Sequence, residues 1–146
     1  MKVEKKVQVS VNKLFDVVTA SLKNDYEQNT SQPLFDDMIQ PGLTYLKSFG
    51  RNQQNQVKVL LTAFEKPRLY EVVFSSNRGK QKVSYCFSSL SKDESTITYQ
   101  QKVSEADFFQ KANNFLLNKL FKKSIERQID AQLNALANQA KNSFIK

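Results

Sequence analysis

The sequence predicts an α+β domain: an antiparallel sheet closed by a long C-terminal helix. Three observations predict it. The last forty or so residues, from Ala106 to Lys146, contain no Pro and no Gly, and apolar side chains recur in them every three or four positions. Ala112, Phe115, Leu116 and Leu120 open a stripe continued by Leu117, Phe121, Ile125, Ile129, Leu133, Leu136, Ala140 and Phe144, the period of an amphipathic helix. From Gly42 to Val103 the chain falls instead into short alternating runs divided by turn residues, the pattern of strands. Between an opening strand and that region lie two shorter helical stretches.

Taken in order, Val3, Lys5, Val7 and Val9 alternate with Lys2, Glu4, Lys6 and Gln8, a strand with one mostly apolar face. Ser10 stands where an N-cap belongs, its hydroxyl placed to accept from a free amide of the first helical turn. The helix that follows carries Leu14, Phe15, Val17, Val18 and Leu22 on one side and is expected to end before the polar run Glu27 to Pro33. A short second helix is expected around Leu34 to Ile39, stopped by Pro41-Gly42. Five strands follow: Leu43 to Phe49, Gln56 to Glu65, Leu69 to Asn77, Gln81 to Ser89 and Ser95 to Val103. Their links are short, and Pro67 centres the turn Lys66-Pro67-Arg68, so an antiparallel meander is predicted. Ser104-Glu105-Ala106-Asp107 then sets acids at the positive end of the closing helix.

That helix is too long to be only a lid. As one rod, residues 106 to 145 would reach about 60 Å at about 1.5 Å per residue. A compact domain of this length is about 40 Å across. The rod is expected either to break near Asn113-Asn114 or to project its end onto another chain. Phe115 to Leu136 is the part expected to lie on the sheet, and Phe108-Phe109 and Phe144-Ile145 both need a surface to cover them.

Composition narrows the function. The chain of 146 residues is 40% hydrophobic, which fits one domain over residues 1–146, and no apolar run approaches the roughly 20 residues of a membrane span. The N-terminus has no hydrophobic signal core, and Cys86 is the only cysteine, so a cytoplasmic location is expected. No His occurs anywhere. That removes Ser-His-Asp and Cys-His machinery and the common zinc sets, and neither a metal nor another cofactor is expected. Asp36-Asp37 and Asp93-Glu94 are the only adjacent acids, and both fall where turns are expected. Net charge is +8, all of it from Arg51 onward, since residues 1–50 hold six Lys and six acids. Lys111, Lys119, Lys122, Lys123 and Arg127 read as the solvated face of the last helix. No nucleic-acid motif accompanies them, so no nucleic-acid partner is expected.

Certain segments resemble known proteins. Val9-Ser10-Val11-Asn12-Lys13-Leu14-Phe15-Asp16-Val17-Val18 is similar to the strand-to-helix opening of the START/Bet v 1-like (SRPBCC) superfamily. Phe64-Glu65-Lys66-Pro67-Arg68-Leu69-Tyr70 resembles its acidic-Pro-basic hairpin. Gly42-Leu43-Thr44-Tyr45-Leu46-Lys47-Ser48-Phe49, Ser75-Ser76-Asn77-Arg78 and the Phe/Leu/Lys-rich Phe115 to Lys123 resemble DUF3284, a family of uncharacterised proteins from lactic acid bacteria and relatives. The resemblance spans nearly the whole chain. It implies a helix-grip fold: a curved antiparallel sheet of about six strands, two N-terminal helices after strand 1, and a long C-terminal helix gripped by the sheet. Superfamily members bind or transform hydrophobic ligands such as lipids, sterols and polyketides, while the narrow family has no assigned activity.

In such a fold the sheet's concave face and the closing helix enclose any pocket, and alternation assigns that face. Lys82 and Ser84 point outward, so Val83, Tyr85 and Phe87 point inward. Ile97, Tyr99, Gln101 and Val103 share a face, as do Tyr70, Val72 and Phe74. Tyr45, Lys47 and Phe49 form the face in the first strand of the meander, although a one-residue slip would reverse it. The expected ligand-facing set is therefore Tyr45, Lys47, Tyr70, Phe74, Tyr85, Phe87, Tyr99 and Gln101, with Phe121 from the helix. Tyrosine hydroxyls would be polar handles in an apolar pocket, and Lys47 or Gln101 would orient an acidic or carbonyl group. The competing account is ordinary core packing. The leading reading is non-catalytic binding of a small hydrophobic or lipid-like ligand. Its alternative is a structural or interaction protein, a homodimer or membrane-surface adaptor using the basic C-terminal helix. An enzyme of cyclase or hydratase type comes third.

Overall fold

The computed structural model describes residues 1–49, 55–76, 79–103 and 126–142, with the side chains of residues 49 and 55 left aside. Six strands form one sheet: β1 (Lys2–Val7), β2 (Thr44–Phe49), β3 (Asn55–Glu65), β4 (Leu69–Ser76), β5 (Gly79–Ser91) and β6 (Glu94–Val103). Helix α1 (Val11–Thr30) joins β1 to the meander, and residues 126–142 are helical and form α2. The strand order is β1-β6-β5-β4-β3-β2, every pair antiparallel. Consecutive strands pair through short links as expected, while β1 crosses the molecule to pair with β6. Register shifts at Leu61/Ala63 in β3 and Ser89/Ser91 mark bulges, and bulges bend the strands that carry them. The sheet is curved, and the helices lie against its concave face.

Helix α1 begins as the sequence predicts. The Ser10 hydroxyl accepts from the Lys13 amide at 3.3 Å, and Leu14, Phe15, Val17, Val18 and Leu22 are buried. Its end differs from expectation, for it continues through Glu27 to Thr30. Side chains explain the extension. The Asn29 amide donates to the Asp25 carbonyl and the Thr30 hydroxyl to the Tyr26 carbonyl, both at 2.8 Å, so these polar residues satisfy themselves inside the helix. Ser31 ends it in the left-handed region, with φ of 59°. The short second helix is a single 3-10 turn, Asp36–Met38, followed by Gly42 at φ 105°, whose amide donates to the Leu61 carbonyl. A side chain at that backbone angle would be strained.

Pairing across the sheet lines up the concave face in rows. Tyr70 stands opposite Tyr85, and Tyr85 opposite Tyr99. The next row is Val72, Val83 and Gln101, and the one beyond is Phe74, Gln81 and Val103. Lys82 and Ser84 take the other face, as predicted. Ser84 is nevertheless buried, flanked in register by the longer Glu71 and Gln100. Helix α2 buries Ile129, Leu133, Ala137 and Ala140, with Leu136 packed at their edge. The Lys5 ammonium, on the apolar face of β1, meets Asp130 of α2 at 2.8 Å, which fastens the closing helix to the edge of the sheet. The expected helix start at Ser104 to Asp107, the break at Asn113-Asn114, and the placements of Phe108-Phe109, Phe144-Ile145, Lys111, Lys119, Lys122 and Lys123 lie outside the described residues. Among the described residues, no helix is long and apolar enough to cross a membrane.

Candidate functional site

A cavity of about 610 Å³ lies between the concave face and the two helices. Its floor is the sheet: Val59 from β3, Tyr70, Val72 and Phe74 from β4, Gln81, Val83 and Tyr85 from β5, and Tyr99 and Gln101 from β6. Val17, Val18, Ser21, Leu22 and Asp25 of α1 form one wall, with Tyr45 and Lys47 of β2 beside them. Gln132, Ala135, Leu136 and Gln139 of α2 form the other. The aliphatic residues come from alternate strand positions and from successive turns of α1, so the same periodicity that builds the core also lines the space.

The charged groups of the lining, Asp25 and Lys47, lie on the α1–β2 side. The Asp25 carboxylate receives the Tyr45 hydroxyl on one oxygen and the Lys47 ammonium on the other, the latter at 2.9 Å. The Asn29 amide approaches that second oxygen at 3.5 Å. Asn29 also uses its side-chain oxygen to accept from the Ser48 amide at 3.2 Å, tying the end of α1 to the edge strand. The side chains of Lys47 and Asp25 are 41% and 29% exposed, so the ion pair sits at the mouth of the cavity. Across the floor, the Tyr99 hydroxyl donates to the Gln101 side-chain oxygen at 2.9 Å, and Gln132 donates to the Tyr85 hydroxyl at 3.0 Å.

The tyrosine rings form a connected set. Tyr70 and Tyr85 have centroids 6.2 Å apart, Tyr85 and Tyr99 5.2 Å, and Tyr45 meets Tyr26 edge-on at 5.3 Å. Burial raises the pKa of all four cavity tyrosines. For Tyr45 the hydrogen bond to the Asp25 carboxylate adds to that effect. For Tyr70 the neighbouring Tyr85 and Asp25 add to it, and Tyr85 is pushed up to about 12 with help from Tyr99. At neutral pH these phenols are hydrogen-bond donors and not bases.

Eight of the nine residues expected to face a ligand lie within the described side chains, and seven of those line the cavity: Tyr45, Lys47, Tyr70, Phe74, Tyr85, Tyr99 and Gln101. Phe87 does not. It is 2% exposed and packs edge-on to Phe15, centroids 6.2 Å apart, because α1 comes down onto the sheet there and closes that end as core. Phe121 lies outside the described residues. Sequence reasoning missed the polar lining residues Ser21, Asp25, Gln81, Gln132 and Gln139. Asp25 was legible in one respect: it follows Val18 and Leu22 at helical spacing and so shares their inward face. Among the described residues, no cluster of three or more His, Cys, Asp or Glu is placed to hold a metal ion.

Fold and cavity together define a class: a helix-grip protein of Bet v 1-like architecture, with a pocket between the sheet and its helices. Within that class, residues 1–122 match the family described as "Domain of unknown function (DUF3284)", and the chain belongs to this family. No curated protein matches it in sequence. Among solved structures it is similar to a protein of unknown function from Staphylococcus aureus, at 11% identity and a TM-score of 0.62, covering 100% of this chain and 96% of that one. Ara h 8.0201 is similar at 10% identity and a TM-score of 0.60, covering 97% of each chain. Norcoclaurine synthase from Thalictrum flavum is similar at 12% identity and a TM-score of 0.55, covering 97% of this chain and 86% of that one. At such identities the likeness concerns the fold alone.

Proposed function

We propose that this chain acts as one cytoplasmic helix-grip domain that binds a small hydrophobic or lipid-like ligand, without catalysis, between its sheet and its closing helix. The observation that carries this reading is the cavity of about 610 Å³, a size typical of small-molecule sites, in which Val17, Val18, Leu22, Val59, Val72 and Val83 give an apolar surface and tyrosines and amides give polar handles. Removal of apolar ligand surface from water drives binding, at about 25 cal/mol per Å². Norcoclaurine synthase, of the same fold, is known in complex with dopamine and hydroxybenzaldehyde, which supports small-molecule binding in this architecture. The chain has no His, the side chain most often used for acid–base catalysis. The adaptor alternative depends on helix segments outside the described residues, and no observation favours it over the cavity.

Native mass spectrometry of freshly purified protein, before and after extraction with organic solvent, tests the proposal. A discrete mass is expected to disappear on extraction and to return when the extract is added back. A single unliganded mass throughout, together with no binding of an apolar fluorophore, would reject it.

A further inference from the structure

A hydrogen-bond count around the cavity deepens the proposed ligand reading, on which it rests. At its mouth both carboxylate oxygens already have donors, while the Lys47 ammonium keeps N–H groups to spare. Both Asp25 oxygens are occupied, one by Tyr45 and the other by Lys47 and Asn29. The Lys47 ammonium has three N–H groups, and among the described residues only Asp25 receives from it. The Tyr70 hydroxyl has no hydrogen-bond partner among the described residues, and Tyr70 lines the same cavity as Asp25 and Lys47. The Tyr85 hydroxyl accepts from Gln132 and keeps its own proton to give. Gln101 has its oxygen taken by Tyr99, which leaves its amide hydrogens.

A ligand that completes this site must bring acceptors. An amine would have to share the Asp25 carboxylate, the one acid lining the cavity among the described residues, with Tyr45 and Lys47, and would sit beside the Lys47 ammonium, which repels it. A neutral carbonyl would suit a phenol, but it would forgo the charge-assisted bond that an ammonium with spare hydrogens offers. We propose that the cavity selects amphipathic carboxylates. The carboxylate oxygens sit at Lys47 with the Tyr70 hydroxyl as a second donor, and the apolar body lies against Val18, Leu22, Val59 and Val72. Asp25 then acts as a brake on affinity: it positions Lys47 and Tyr45, and its charge opposes the ligand's.

Dodecanoate and dodecanol form a matched pair that separates headgroup from tail. Their binding is measured by displacement of the neutral fluorophore N-phenylnaphthylamine from the full chain, with circular dichroism confirming that each variant is folded. The wild-type protein is expected to prefer the acid by about tenfold, the scale of one charge-assisted hydrogen bond. Asp25→Asn is expected to widen that preference. The double variant Lys47→Met/Asp25→Asn, which leaves the site neutral, is expected to abolish it while dodecanol binds as before. Tyr70→Phe provides a milder variant that keeps the fold and is expected to reduce the preference in part. Equal binding of acid and alcohol to wild-type protein, or an acid preference that survives the double variant, would overturn the headgroup assignment and leave the cavity reading standing. Failure of fluorophore, acid and alcohol alike to bind would overturn both.

Discussion

Ser95 shows how much a single small side chain contributes here. It is fully buried in β6, and its hydroxyl donates at 2.6 Å to the carbonyl of Val9, on the corner between β1 and α1. A buried carbonyl left without its donor forfeits about 1–3 kcal/mol. Ser95→Ala is therefore expected to destabilise the protein by about 1–2 kcal/mol, read as a lower urea midpoint at unchanged slope. Asp25 is a second case. Its helical spacing from Val18 and Leu22 places it on the inward face, but no local feature names its partners. Its importance comes from contact with Tyr45 and Lys47, which lie about twenty residues further along the chain.

At the scale of elements, the closing helix and the sheet carry separate tests. Leu133 is completely buried where α2 crosses the concave face. Leu133→Ala is expected to cost about 2–5 kcal/mol through lost burial and the cavity left behind. Thermal denaturation followed by circular dichroism measures it, and a change below 1 kcal/mol would mean that α2 is not docked as described. The sheet contains an unfavourable pairing. Lys82 and Lys102 stand directly opposite across β5 and β6, and among the described residues the acid paired with Lys82 is Glu71, at 3.8 Å. Like charges opposite one another destabilise by a few tenths to about 1 kcal/mol. Lys102→Glu is expected to raise the melting temperature at low salt, with the gain shrinking as salt is added.

At the scale of the whole molecule, the four cavity tyrosines couple ionisation to folding. Free tyrosine ionises near pH 10, so the unfolded chain loses these protons there while the folded protein holds Tyr45, Tyr70, Tyr85 and Tyr99 protonated. Above that pH the unfolded state binds fewer protons than the native state, so stability falls as pH rises. The contribution is complete below about pH 10 and is lost progressively toward and beyond pH 12, where Tyr85 itself titrates. An alkaline titration followed at once by phenolate absorbance and by circular dichroism is expected to show these phenols ionising above the pH of free tyrosine, with structure lost as they do so. Ionisation of all four near pH 10 in a protein that stays folded would mean that the cavity wall is open to water.

Local sequence marked the strands, the start of α1 and the order in which they follow one another. The periods of 3.6 and 2, the Ser10 cap and the turn residues act over a few positions, and each was legible where it stood. Alternation also placed Tyr45, Lys47, Tyr70, Phe74, Tyr85, Tyr99 and Gln101 on one face, because adjacent side chains in a strand must point opposite ways. Only the tertiary structure decided what that face encloses. The descent of α1 onto Phe87 turned one expected pocket residue into core. The pairing of β1 with β6 set Lys5 against Asp130, and cross-strand register made a row of three tyrosines. The polar corner at Asp25 likewise required α1 and β2 to meet. These features depend on distances between segments far apart in the chain, and local periodicity contains no information about such distances.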